Sequence, residues 1–378
     1  MRQCKTIDDL IETAYNHLST ISPRGMAAFW SLLVKHVKNC GGNSRVQLNE
    51  QLAEILCNTL ENMKEYSYRD IATIAISLAK IMKQVESRGQ RSATGSLHCN
   101  LHDLLIGGGN SEKKQFILDK VAKSSLLILS EFDARHLSNL IYSFGHAEYV
   151  PTVEGGRTLM DILALEAMYK LQHFNSQDLS NMLLSYAKVK STNSVLFKTA
   201  GDMIVGMNDL GEFKPQNFSN IIWSYSTAGE AHPQLFSKLG DHIIAMRDLG
   251  QFKPQELSNL IWAYATAGES HPQLYSKLGD HIVAMKDLNR FVPQVLSNII
   301  WAYASTRESH PQLYNKLANH IVAMKDLNRF DPQALSNIIW AYATAGESHP
   351  QLYNKLANHI VAIDNLSGFM SQALSNII

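Results

Sequence analysis

The chain has 378 residues, 45% of them hydrophobic, enough to bury a large apolar core in one continuous array. Its 34 Lys and Arg balance 34 Asp and Glu; there is no global basic field, which counts against a protein that grips nucleic acid mainly through phosphates. Cys4, Cys40, Cys57 and Cys99 have no paired spacing and read as reduced intracellular thiols, and no stretch approaches the ~20 apolar residues of a membrane span.

Residues 1–20 form one amphipathic helical pattern, in the place of a second helix of a preceding unit. Asp8, Asp9 and Glu12 lie within it, unlike an organelle transit peptide, so either no such peptide exists or the chain begins inside a longer one. Residues 22–37 read as a degenerate first helix with Pro23 at its start, and residues 48–63 as its partner. Residues 69–80 match 178–188 position by position in apolar pattern. Residues 1–83 are thus degenerate helical repeats. Residues 84–114 interrupt them with Ser, Gly and charge and are expected to be a flexible insertion. Its triple glycine at 107–109 lacks a following Lys-Ser/Thr, so a phosphate loop is not expected. Degenerate repeats resume over 115–174, with helices at 116–130, 136–147 and 159–171 and a short insertion at 151–157.

From 175 to 378 the repeat becomes regular. Trp223, Trp262, Trp301 and Trp340 are each 39 residues apart, in the frame Ser-Asn-(Ile/Leu)-Ile-Trp-(Ser/Ala)-Tyr. A period between 20 and 50 residues marks a solenoid, whose units bury apolar surface only against their neighbours. The expected fold is all-α, an α-α superhelix of tandem helical hairpins with a 39-residue period, eight hairpins and the opening of a ninth.

One unit shows why. Asp331 is a good N-cap, Pro332 suits a first helical position, and Phe330 with Leu335 has the spacing of a hydrophobic staple. The first helix should run to about Ala345, with Gly346 as a left-handed stop. Pro350 opens the second helix, which carries Leu352, Leu356 and Ile360 on one stripe. In the preceding copy that helix is expected to end near Leu327, with Asn328 as the stop. In the copy before, the pair is expected at Pro254–Ala267 and 272–288.

At 100° per residue, Leu335, Ile338, Ile339 and Tyr342 share one side of the first helix. Gln333, Ser336, Asn337, Trp340 and Thr344 share the other, an uncharged stripe of amide, hydroxyl and indole. Stacking would line Gln216, Gln255, Gln294 and Gln333 into one row. Asn220, Asn259, Asn298 and Asn337 form a second row, and Trp223, Trp262, Trp301 and Trp340 a third. Amides that read base edges beside a flat aromatic are what a single-stranded RNA reader needs. The same Trp also suits packing between neighbouring first helices, and the same Asn could satisfy a buried carbonyl.

Histidines recur ten apart, as His232/His242, His271/His281, His310/His320 and His349/His359. Ten is not a metal-ligand spacing on one helix, and the first of each pair precedes a helix-opening proline, which points to capping. No nucleophile–base pair, carboxylate dyad or nucleotide fingerprint stands at a unique place, so neither catalysis nor a cofactor is expected.

The frame Pro-Gln-x-Leu-Ser-Asn-Ile-Ile-Trp-Ala-Tyr-Ala, the Gly turn, His-Pro-Gln-Leu-Tyr and the closing Phe-x-Pro resemble the octotricopeptide repeats of algal organelle proteins. They are also similar to the leucine-rich repeats of the FAST-kinase family and its apicomplexan relatives. The resemblance covers residues 176–378 well and 22–171 loosely, without the nuclease-like domain that often follows such repeats. It implies binding of single-stranded organellar transcripts, about one base per repeat, in RNA processing, stability or translation in a mitochondrion or chloroplast. The other reading is a protein-interaction scaffold of the α-solenoid type, taking a peptide or helix rather than RNA. At the C-terminus the last frame stops at Ile378, before its Trp and Tyr. Residues 370–378 are therefore expected to be poorly ordered, and the chain to be part of a longer array.

Overall fold

The structure, a computed structural model, describes residues 4, 6–39, 49–89, 97–107, 111–191, 193–363 and 368–369. Among them all regular structure is helical, with an isolated bridge between Thr152 and Thr158 and no strand. No helix among these residues is long and apolar enough to cross a membrane. The chain divides into two compact units, Met1–Ala200 and Gly201–Ile378.

In the first unit, α1 (Ile7–Asn16) precedes the alternation of first and second helices. The first hairpin is α2 (Pro23–Asn39) and α3 (Asn49–Asn62). Then come α4 (Tyr68–Gly89), α5 (Leu97–Leu105) and α6 (Glu112–Leu127). They are followed by α7 (Ala134–Ala147), α8 (Leu159–Lys170), α9 (Ser176–Lys188) and α10 (Ser194–Gly206), within which the division falls. The first helices α2, α4, α7 and α9 pack in succession, and α1 packs on α3 as a second helix would. In the second unit the first helices are α11 (Pro215–Ala228), α13 (Pro254–Ala267), α15 (Pro293–Thr306) and α17 (Pro332–Ala345). The second helices are α12 (Pro233–Ala245), α14 (Pro272–Ala284), α16 (Pro311–Ala323) and α18 (Pro350–Val361). Each set packs in succession, the arrangement of an α-helical solenoid. Eight hairpins are described.

The local signals act as their chemistry requires. Asp331 Oδ1 accepts the Ala334 N–H at 2.7 Å, and Glu256 Oε2 accepts the Lys253 N–H at 2.9 Å in a capping-box contact. Gly229, Gly268 and Gly346 end α11, α13 and α17 with φ near 70°. Arg307 does the same for α15 at φ 58°, where a side chain costs on the order of 1 kcal/mol.

Three expectations need correction or comment. The second helices stop at Ala284 and Ala323, about a turn before Leu288 and Leu327. Met285 turns extended (ψ 134°), and Asp287 Oδ1 then accepts the Asn289 N–H at 3.1 Å, closing a turn that leaves Leu288 buried as an anchor. The freed helix-end carbonyls are met by an ammonium group from the next second helix. Lys277 donates to the carbonyls of Ile244 and Met246, Lys316 to Met285 (2.7 Å), and Lys355 to Val322 (2.7 Å) and Met324. Within 84–114, read from composition as a loop, α4 continues to Gly89 and α5 forms, with Leu101, Leu105 and Ile106 buried. Leu97, Leu101, Leu104 and Leu105 have helical spacing, and packing on α4 outweighs the polar flanks. Residues 370–378, with the expectation attached to them, lie outside the described residues.

Candidate functional site

The proline at the start of each regular first helix places the next residue, glutamine, in the first turn. Gln216, Gln255, Gln294 and Gln333 are all exposed there, whereas Leu257, Leu296 and Leu335, two residues on, are 0% exposed. Asn220, Asn259, Asn298 and Asn337 follow one turn later on the same stripe, half-buried. Trp223, Trp262, Trp301 and Trp340 follow three residues beyond, also half-buried. In α13 the Gln255 Nε2 donates to Asn259 Oδ1 at 2.8 Å. That bond leaves the Gln255 carbonyl oxygen and the Asn259 N–H groups for a ligand, an acceptor and a donor side by side.

Packing between hairpins is anchored by the tyrosine two residues after each tryptophan. Tyr264, Tyr303 and Tyr342 are 1% exposed and stand edge-on to Phe236, Tyr275 and Tyr314 of the preceding hairpin, with ring centroids 5.1–5.2 Å apart. Each hydroxyl donates to the carbonyl of that same aromatic residue at 2.7 Å. The Tyr is thus the inter-hairpin anchor, and the Trp keeps part of its indole at the surface. That the Tyr lies on the apolar arc was legible; that its hydroxyl caps a carbonyl 28 residues back was not.

The serine of the stripe must be removed from it. Ser258 and Ser336 are 0% exposed and Ser297 is 2%. Ser258 Oγ reaches the Val295 carbonyl of the next first helix at 3.5 Å, while Ser297 and Ser336 donate to the Gln294 and Gln333 carbonyls of their own helices at 3.3 and 3.0 Å. A first helix in a stack is covered on both flanks, so the exposed arc is narrower than that of an isolated amphipathic helix.

Three of the four leading histidines cap with their side chains, His271 being the exception. The Nδ1 atoms of His232, His310 and His349 accept the N–H of Leu235, Leu313 and Leu352 at 3.2–3.3 Å. Nε2 of each ring faces back to the preceding second helix. His232 meets Asp202 (3.2 Å), His271 Asp241 (3.5 Å), His310 Asp280 (3.4 Å), and His349 Asn319 Oδ1 (3.3 Å). The second histidines lie elsewhere: burial holds His281 and His320 below the usual histidine range, and His242 stacks on Phe218. Among the described residues no group of three or more His, Cys, Asp or Glu side chains gathers at metal distance.

The model of the RNA-editing substrate-binding complex 6 protein family matches residues 152–377. This is a different family from the octotricopeptide and FAST-kinase families that the repeat frame resembles, and its name is likewise RNA-associated. No curated protein matches the chain significantly. Among solved structures, a homology model of the full-length AP-3 complex in an intermediate open conformation matches with 11% identity and a TM-score of 0.33, over 99% of this chain and 69% of that one.

Proposed function

This chain belongs to the RNA-editing substrate-binding complex 6 family, and from that premise we propose that it is an RNA-binding helical-repeat protein. It acts on single-stranded organellar transcripts in a mitochondrion or chloroplast, by binding rather than by catalysis. The observation that carries this reading is the fourfold stripe of exposed Gln, half-buried Asn and half-buried Trp on α11, α13, α15 and α17. Each stripe offers an amide pair for a base edge and an indole for a base face. First-helix axes of this kind stand about 8–10 Å apart, wider than the 3.4 Å rise of stacked bases, so a strand that follows the stripes must unstack. The indoles then replace the lost stacking, worth about 1–3 kcal/mol per base. Because the four stripes carry the same residues, they favour the same base four times.

The test is selection of bound RNA from a random pool at 0.1 M salt. Enrichment of a tract of one repeated base is expected, and it should weaken in a Gln255→Ala, Gln294→Ala, Gln333→Ala variant of unchanged thermal stability. A second reading, a protein scaffold, rests on α8, which buries Leu159, Leu163 and Ala167 yet leaves Leu165 55% and Tyr169 81% exposed. An RNA pool with no enrichment favours that reading.

A further inference from the structure

The register that holds glutamine in every first helix of the second unit holds arginine in three of the four first helices of the first unit, α9 keeping Gln177. The second residue of α2 is Arg24, of α4 Arg69 and of α7 Arg135; all three are exposed. Eleven residues further along each helix stand Lys35, Lys80 and His146, and in α9 Lys188. Eleven residues turn a helix through 1100°, a net 20°, and advance it about 16 Å. The two positions therefore lie on one face. In the second unit the later position is held by Thr227, Thr266, Ser305 and Thr344.

Around His146 the cations converge. Burial, and after it the nearby charges of Lys188, Lys83 and Lys80, lower its pKa to about 4. The ammonium groups of Lys80 and Lys188 are themselves held below the usual lysine range by burial. Among the described residues the carboxylate that answers the three ammonium groups is Glu148, paired with Lys83 at 2.7 Å. The ring of His146 stacks on Tyr142 (5.3 Å, 20°), and its buried Nδ1 has no hydrogen-bond partner among the described residues. Three ammonium groups against one carboxylate leave an excess of positive charge that suits an anion. Of the other carboxylates, Asp70, Asp178 and the α7 cap Asp133 lie toward the N-terminal ends of these helices, where Asp133 and Asp70 are near Arg69 and Asp178 is near Arg135, away from the lysines. Asp70 accepts from Ser67 at 2.6 Å, Glu86 pairs with Lys114 at 2.6 Å, and Asp178 is buried at a cap. The whole-chain balance of zero conceals this segregation.

We propose that the first-helix face of the first unit, centred on Lys80, Lys83 and Lys188, is a clamp for the phosphate backbone of RNA, separate in chemistry from the base-facing stripes of the second unit. It rests on the reading of the chain as an RNA binder. It adds a sequence-independent contact where charge composition alone argued against one. Phosphate oxygens neutralise the lysines and accept from the exposed arginines, while Tyr142 and Asn139 lie between Arg135 and His146 of α7.

The experiment measures binding of the full chain to a fluorescent 20-nucleotide single-stranded RNA of mixed sequence over a series of KCl concentrations. In the wild type, log affinity should fall linearly with log salt. Lys80→Gln, Lys188→Gln and Arg135→Gln together should reduce that slope by about 2, at about 0.7 per phosphate contact, and weaken binding most at low salt. Each of these side chains is at least partly exposed, and a matching unfolding midpoint shows that the fold is kept. The Gln255→Ala, Gln294→Ala, Gln333→Ala variant should lose base preference and keep the slope. An unchanged slope in the lysine–arginine variant overturns the clamp alone. A reduced slope with no base preference in the wild type overturns the reading stripes and leaves the clamp. Failure of the wild type to bind the RNA at any salt overturns both.

Discussion

The two units use one architecture and differ in what they put on it. In the first unit the close approach between neighbours is made by first helices: a Cβ on Gly145 would fall 2.5 Å from the Ser185 backbone Cα and 2.3 Å from its Cβ. In the second unit it is made by second helices: a Cβ on Gly240 would fall 2.4 Å from Cδ2 of the His271 ring. A backbone atom cannot yield, and a side-chain ring can. The hairpin of α15 and α16 shows the difference, for it carries Ala318 at that register and His349 still caps its helix while meeting Asn319. The solenoid tolerates variation where side chains make the contact and resists it where backbones do.

Substitution can break that comparison most directly at the glycines. Gly145→Ala is expected to destabilise by about 2–3 kcal/mol through overpacking against backbone. Gly240→Ala should stay within about 1 kcal/mol, because the ring can move and alanine favours the helix. Urea unfolding of the two variants decides it, and equal losses would show that the His271 clasp is as rigid as the α7–α9 contact.

A smaller effect is expected at the lysine that joins second helices. Lys277→Met keeps the aliphatic stem but removes the ammonium group from the Ile244 and Met246 carbonyls. A loss of about 1–2 kcal/mol is expected, the worth of a charge-assisted bond to a partly solvated helix end. Lys170 makes the same contact in the first unit, to Ser130 (2.9 Å) and Phe132 (2.5 Å). Lys170→Met should therefore cost a similar amount, and a clear difference would separate the units in this respect too.

The least change is expected from acid, and it belongs to the first unit. His146 is lowered to about 4 from the usual 6.5, by burial and then by its lysine neighbours. The unfolded chain thus binds the proton more readily. The contribution of His146 is complete above about pH 6.5 and is lost as pH falls from there toward 4. Its partial exposure keeps the effect modest. Unfolding midpoints at pH 7, 5.5 and 4.5 should fall more steeply for the wild type than for His146→Asn, and parallel curves would remove His146 from the account.

Much of this molecule was legible in its residues. Proline at Pro254 and Pro332, aspartate at Asp331 and glycine at Gly268 and Gly346 act through their own backbone and nearest turn, so helix starts and first-helix ends followed from them. The 100° periodicity separated exposed Gln255 from buried Leu257 for the same local reason. What the tertiary structure alone decided depends on partners 28 to 40 residues away. Only packing showed that Ser258 turns inward, that Tyr264 caps the Phe236 carbonyl, and that Lys277 closes a helix ending at Ala245. Leu101 and Leu105 became a helix core only because α4 lies beneath them. The gathering of Lys80, Lys83 and Lys188 around His146 was invisible for a plainer reason. The charges belong to two helices, α4 and α9, with Lys188 more than a hundred residues beyond Lys83 in the chain, and a sum over sequence cancels what a fold can place on one face.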